Sequence, residues 1–145
     1  MPIPAPEPGL VLNYAYLWHD EYRRGLQEGR KDRPSVIVLK TVRAADGQVI
    51  VMVLPITHSP PTDPTVAVEI PPRVKQHLGL DAERSWIVVD EGNQFIWPGY
   101  DLRKVSGSAD EYTYGFIPPR LFQKIIETMR ATHTKGRLKA TPRSG

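Results

Sequence analysis

The sequence predicts a mainly β protein: a small barrel or half-open β-roll with a short inserted helix and a C-terminal amphipathic helix. Three observations carry this. Five or six short runs rich in β-branched and aromatic residues are punctuated by Gly, Pro and Asp turn signals. Two of these runs flank Asp46-Gly47 in the manner of a hairpin. Sustained helical spacing of apolar residues begins only after Pro118-Pro119.

Taken in order, Gly9 to Tyr16 reads as a first strand after a proline-rich arm over residues 1–8. Trp18-His19-Asp20-Glu21 then leads into a charged stretch, Tyr22 to Arg33, that is either a long loop or a short solvated helix. Ser35 to Val42 and Gln48 to Leu54 are the hairpin strands. The prolines of Pro55 to Pro64 fix φ and discourage further pairing, so this segment is a stiff loop. Thr65 to Ile70 follows as a third strand of the central sheet. Pro71-Pro72 opens a short helix that Gly79 stops, the proline-in, glycine-out asymmetry of helix ends. Ser85 to Val89, Phe95 to Gly99 and Tyr112 to Phe116 are further strand candidates. Leu121, Phe122, Ile125, Ile126 and Met129 share one face of a final amphipathic helix.

A chain of 145 residues suits one domain, expected over residues 1–132, with a basic, flexible tail over 133–145. The absence of cysteine excludes disulfides, thiolate metal sites and cysteine nucleophiles. The first eight residues lack a basic start and an apolar run, so a signal peptide is not expected, and no apolar run reaches membrane-span length. A cytoplasmic protein without membrane contact is the expectation. The net charge of +3 is unevenly placed: Lys135, Arg137, Lys139 and Arg143 face no acid in the last segment, and without them 15 basic residues stand against 16 acidic ones. Such a tail suits either tethering to nucleic acid or simple solubility.

Three places resemble the PemK/MazF toxin family. Gly25 through Glu28-Gly29 to Arg33-Pro34 is similar to the family's glycine-rich acidic loop, closed by Arg-Pro before a strand. Val53-Leu54-Pro55-Ile56-Thr57 is similar to its strand ending in Pro-x-Thr, and Phe116 to Leu121 resembles its approach to a final helix. The chain departs in having Leu10 rather than an acid after Gly9, and in its longer charged loop, which leaves Glu21 and Glu28 both open as the loop acid. The resemblance implies an SH3-like barrel, a homodimer, a cognate antitoxin as partner, and cleavage of single-stranded RNA without metal or other cofactor. It places Arg33 and Thr57 at the catalytic arginine and threonine positions, Glu28 at the loop acid, and Asp90 at an acid after the fourth main strand.

Metal-free RNA cleavage needs a base for the ribose 2′-hydroxyl, an acid for the leaving oxygen, and donors for the charge building on phosphate. Arg33 precedes one hairpin strand and Thr57 follows its neighbour, so antiparallel pairing puts both at one end of the sheet. A guanidinium fork suits phosphate oxygens, and the hydroxyl adds a donor. His58, beside Thr57, is the best-placed titrating group. His19, Ser59, Asp90 and Trp97 are the candidates for RNA contact, Trp97 as an aromatic in a loop. Plainer readings stand beside these: a surface ion pair of Arg33 with Glu28 or Asp32, and a turn-capping hydroxyl at Thr57. His19, Asp20, Glu21 and His58 lack the helical i, i+4 spacing of a zinc enzyme, so no metal site is expected. Two other functions fit the same scaffold: a catalytically inactive RNA- or protein-binding barrel, and a gyrase-directed toxin.

Overall fold

Alternation of apolar side chains along the hairpin strands sets the architecture, because it feeds two separate cores. The computed structural model describes residues 3–26, 29, 31–105 and 111–143. In chain order these form β1 (Leu10–Tyr14), α1 (His19–Arg23), β2 (Arg33–Val42), β3 (Val49–Thr57), a 3₁₀ turn (Pro64–Val66), β4 (Ala67–Glu69) and α2 (Pro72–His77). β5 (Trp86–Val88), β6 (Glu91–Ile96), β7 (Thr113–Phe116), α3 (Pro119–Thr134) and β8 (Lys139–Pro142) follow. The protein is mainly β: among the described residues the strands form an eight-stranded sheet in the order β4-β5-β3-β2-β1-β7, with β6 joined to β3 and β8 to β6. Every ladder is antiparallel except that between β6 and β8.

The expected hairpin is the centre of this sheet. β2 and β3 pair from Ser35 opposite Pro55 to Val42 opposite Val49, with a bulge between Ile37 and Leu39. At its tip the Arg43 guanidinium grips Asp46 at 2.7 Å, and Gly47 takes a φ of 72° that residues with a Cβ avoid. The other edge of β3 is shared: β6 pairs with Ile50 to Val53, and β5 with Ile56 and Thr57. The sheet therefore forks just before Thr57.

Ile37, Val51 and Val53 point into one core with Leu10, Leu12, Tyr14 and Phe95. Val36, Val38, Met52 and Leu54 point into the other, which α3 closes with Leu121, Ile125 and Met129. Both faces of the central strands are thus covered, which explains why they read as nearly unbroken apolar runs. The i, i+4, i+8 spacing on α3 buries one stripe, each side chain contributing roughly 1.5–3 kcal/mol. No helix among the described residues is long and apolar enough to cross a membrane.

Two expectations need correction, and one open alternative is decided. Thr65 to Ile70 is a strand of the sheet only in its second part: its first part is the 3₁₀ turn, capped by the Asp63 carboxylate on the Thr65 N–H, and β4 is a three-residue strand at the sheet's edge. The charged stretch is α1 at its start, with Glu21 accepting the Trp18 N–H. The supposed flexible tail is structured as far as Arg143. α3 runs to Thr134, β8 pairs with β6 from Glu91 opposite Lys139 to Gln94 opposite Pro142, and Arg143 is buried against Asp101. A second arginine of this segment also finds a partner within the protein. Arg137 binds Asp63 at 2.8 Å, and hydrogen bonds from Thr65 and Arg137 pull that carboxyl down to about 2.

Candidate active site

Register brings the two distant residues together. The pairs Ser35–Pro55, Val36–Leu54 and Ile37–Val53 run without interruption, and the same register continued two residues sets Arg33 opposite Thr57. Alternation puts Arg33 on the face of Ile37 and Thr57 on the face of Val53, and those two belong to one core. Thr57 also pairs with Trp86 of β5, and Arg33 with Tyr14 of β1. Both residues line an open cavity of about 500 Å³, together with Trp18, His58, Ser59 and Lys75.

The Arg33 side chain is half-buried. Its Nη1 donates to the Ile56 carbonyl at 3.5 Å, and its Cζ lies 4.9 Å from the centre of the Trp18 ring. Its Nε is buried without a hydrogen-bond partner among the described residues. Burial lowers the guanidinium below its ordinary value, while the negative charge of Glu21 pulls the other way. Glu21 is itself buried and shares a smaller neighbouring hollow with Arg33, Trp18 and Tyr16. Asp32, the supposed ion-pair partner of Arg33, instead faces Arg103 at 3.8 Å. Glu28, the other acid considered for this loop, lies outside the described residues.

The Thr57 hydroxyl accepts the Ser59 N–H at 3.1 Å, so it does cap the turn, and its own hydrogen remains available to donate into the cavity. His58 is exposed on the cavity rim, and its Nε2 lies 2.8 Å from Asp81 Oδ2. The other Asp81 oxygen accepts from Lys75 Nζ at 2.6 Å. That lysine is buried, and its ammonium also donates to Ser85 Oγ at 2.6 Å and to the Glu83 carbonyl. Asp81 is held below the usual carboxylate range, first by the Lys75 hydrogen bond. One ligand atom each from His58, Asp81 and Glu83 lie within 4.8 Å of one another on this exposed rim. A cation there would have the Lys75 ammonium as a neighbour, competing for the same carboxylate.

Not every candidate residue reaches the cavity. His19 heads α1, its Nδ1 lies 3.3 Å from Thr141 Oγ1 of β8, and its backbone N–H donates to Glu91. Asp90 lies just before β6, where its carbonyl accepts the Lys139 N–H, and burial raises its carboxyl. Trp97 stacks on Phe95 at 6.2 Å and packs on the core of Leu10, Leu12 and Tyr14, leaving Tyr100 as the exposed aromatic of that loop. None of these three lines the cavity that Arg33, Thr57, His58 and Ser59 share. Sequence reasoning missed Lys75 and Asp81. A lysine on a short helix and an aspartate after a Leu-Gly-Leu turn carry no local signal of contact with His58.

Glu91 offers a measurable check on this packing. Burial is the main cause that pushes its carboxyl above the usual range, against the pull of hydrogen bonds from the His19 N–H and the Tyr16 hydroxyl. The native state then keeps this proton to higher pH than the unfolded chain does. The group's contribution to stability is greatest below the ordinary carboxylate value and declines as pH rises through the folded value. Glu91→Gln is expected to flatten that decline. Urea midpoints measured from about pH 4 to about pH 7 check it, and parallel profiles for the two proteins would contradict it.

Comparison of the sequence with models of known protein families and with curated proteins finds no match in either.

Proposed function

We propose that this protein is a metal-independent endoribonuclease that cuts single-stranded RNA, a toxin of the PemK/MazF kind on an SH3-like barrel. The observation that carries the proposal is the meeting of Arg33 and Thr57 beside His58 in one open cavity, although the first lies far from the other two in the chain. Arg33 grips the scissile phosphate with its fork, and the Thr57 hydroxyl donates to a non-bridging oxygen. His58 takes the proton of the attacking 2′-hydroxyl. The 2′-oxygen bonds to phosphorus and the bond to the 5′-oxygen breaks. The leaving oxygen takes a proton from water, while the Arg33 guanidinium keeps its hydrogen bonds to the phosphate. The products are a 2′,3′-cyclic phosphate and a 5′-hydroxyl. Trp18, stacked beneath the guanidinium, offers a face for a neighbouring base.

With this function go a cognate antitoxin that covers the cavity, a homodimer, and a cytoplasmic site of action. The test is incubation of the purified protein with single-stranded RNA in excess chelator. Cyclic-phosphate fragments are expected. Intact RNA under those conditions would overturn the nuclease reading in favour of an inactive binding barrel or a gyrase-directed toxin.

A further inference from the structure

Lysine is among the residues least often buried, because its ammonium loses hydration unless every donor finds an acceptor. Lys75 is only 4% exposed, and its partners are Asp81 Oδ1, Ser85 Oγ and the Glu83 carbonyl. All three belong to the loop between α2 and β5. Asp81 Oδ1 also accepts the Glu83 N–H at 3.1 Å, so this oxygen is fixed from two sides. The other oxygen reaches out of the loop to His58 Nε2, across the cavity rim from Thr57.

We propose that Asp81, anchored by the buried Lys75, is a positioning residue that holds the His58 ring with Nε2–H toward its carboxylate and leaves Nδ1 to take the substrate proton. The chain of contacts runs from a buried cation through an anchored carboxylate to an imidazole. A histidine whose one nitrogen donates to a fixed acceptor has its tautomer and ring orientation set by that bond. The other nitrogen is then the base, and its direction no longer depends on a freely turning exposed side chain. The inference rests on the nuclease reading for its catalytic part, but the orientation of the ring stands apart from it. A loop staple would also explain the buried lysine. It would not explain why the carboxylate's outer oxygen meets the residue next to Thr57.

Two measurements on the full chain test this. Long-range ¹H–¹⁵N spectra of the wild type are expected to show a neutral His58 essentially all in the Nε2–H form. Asp81→Ala is expected to release it to the mixture of an unrestrained imidazole. A mixed or Nδ1–H wild-type ring overturns the positioning, whether or not the variant folds. In cleavage assays Asp81→Ala is expected to lower kcat about tenfold with KM for RNA changed less than about twofold, and Asp81→Glu to recover part of the loss. Unchanged kcat in a folded Asp81→Ala protein, or a loss expressed only in KM, overturns the catalytic part. Absence of cleavage by the wild type sinks the nuclease reading, while the spectra still decide the orientation.

Discussion

Arg33→Ala is expected to lower cleavage of single-stranded RNA by about 10²–10³ while the protein stays folded. The rate loss follows from removing the guanidinium beside Thr57, and it equals about 2.7–4 kcal/mol of transition-state stabilisation. The cost to folding is smaller. What the side chain gives the native state is its position over the Trp18 ring, about 0.5–1 kcal/mol, a weak 3.5 Å bond to the Ile56 carbonyl, and its attraction to the buried Glu21 carboxylate. Its buried Nε, without a partner among the described residues, adds nothing and is relieved by the truncation. Arg33→Lys keeps the charge but not the fork, and is expected to fall between the two. A fluorogenic oligonucleotide assay in chelator, run beside thermal unfolding of each variant, separates the effects. If folded Arg33→Ala kept activity within about threefold of the wild type, the phosphate would have to lie elsewhere.

That prediction was open to a reader of the sequence, and the reason is geometric. An antiparallel hairpin with a recognisable turn fixes which residues share an end, so Asp46-Gly47 was enough to put Arg33 and Thr57 at one end of the sheet; the bulge between Ile37 and Leu39, which sets them opposite each other, carried no signal in the sequence. His58 and Ser59 came with Thr57 by adjacency. Lys75 and Asp81 were not legible, because their meeting with His58 depends on where α2 and the next loop land on the sheet. His19 and Trp97 were drawn to the site by residue type and Asp90 by the resemblance, and packing took each elsewhere: His19 to β8, Asp90 to the Lys139 backbone, Trp97 onto Phe95.

The same contrast explains β8. Lys139-Ala140-Thr141-Pro142 has neither apolar alternation nor a turn linking it to its partner, and its composition is that of a solvated end. It is a strand because β6 offers an edge and because Arg143, beyond it, has somewhere to go. The nucleic-acid arm suggested by the charge count gives way to a segment whose arginines meet Asp63 and Asp101.

Arg143→Ala should therefore be among the most damaging single changes to stability. The Arg143 and Asp101 side chains are 2% and 10% exposed and lie 2.7 Å apart, so truncating the arginine leaves a carboxylate out of water with its cation gone. The expected loss is about 3–5 kcal/mol, a large part of a typical domain's stability. Tyr14 lies within the same field. Burial drives its hydroxyl far above its ordinary value, Asp101 pushes it the same way, and Arg143 opposes both. Losing Arg143 removes the charge that balances Asp101 beside that buried ring. Because the penalty comes from the abandoned carboxylate, the double replacement Asp101→Leu with Arg143→Met is expected to cost far less than Arg143→Ala alone. Urea unfolding of the single and double variants measures this directly. A single variant within about 1 kcal/mol of the wild type would mean that the pair is solvated and that β8 is held by its ladder to β6.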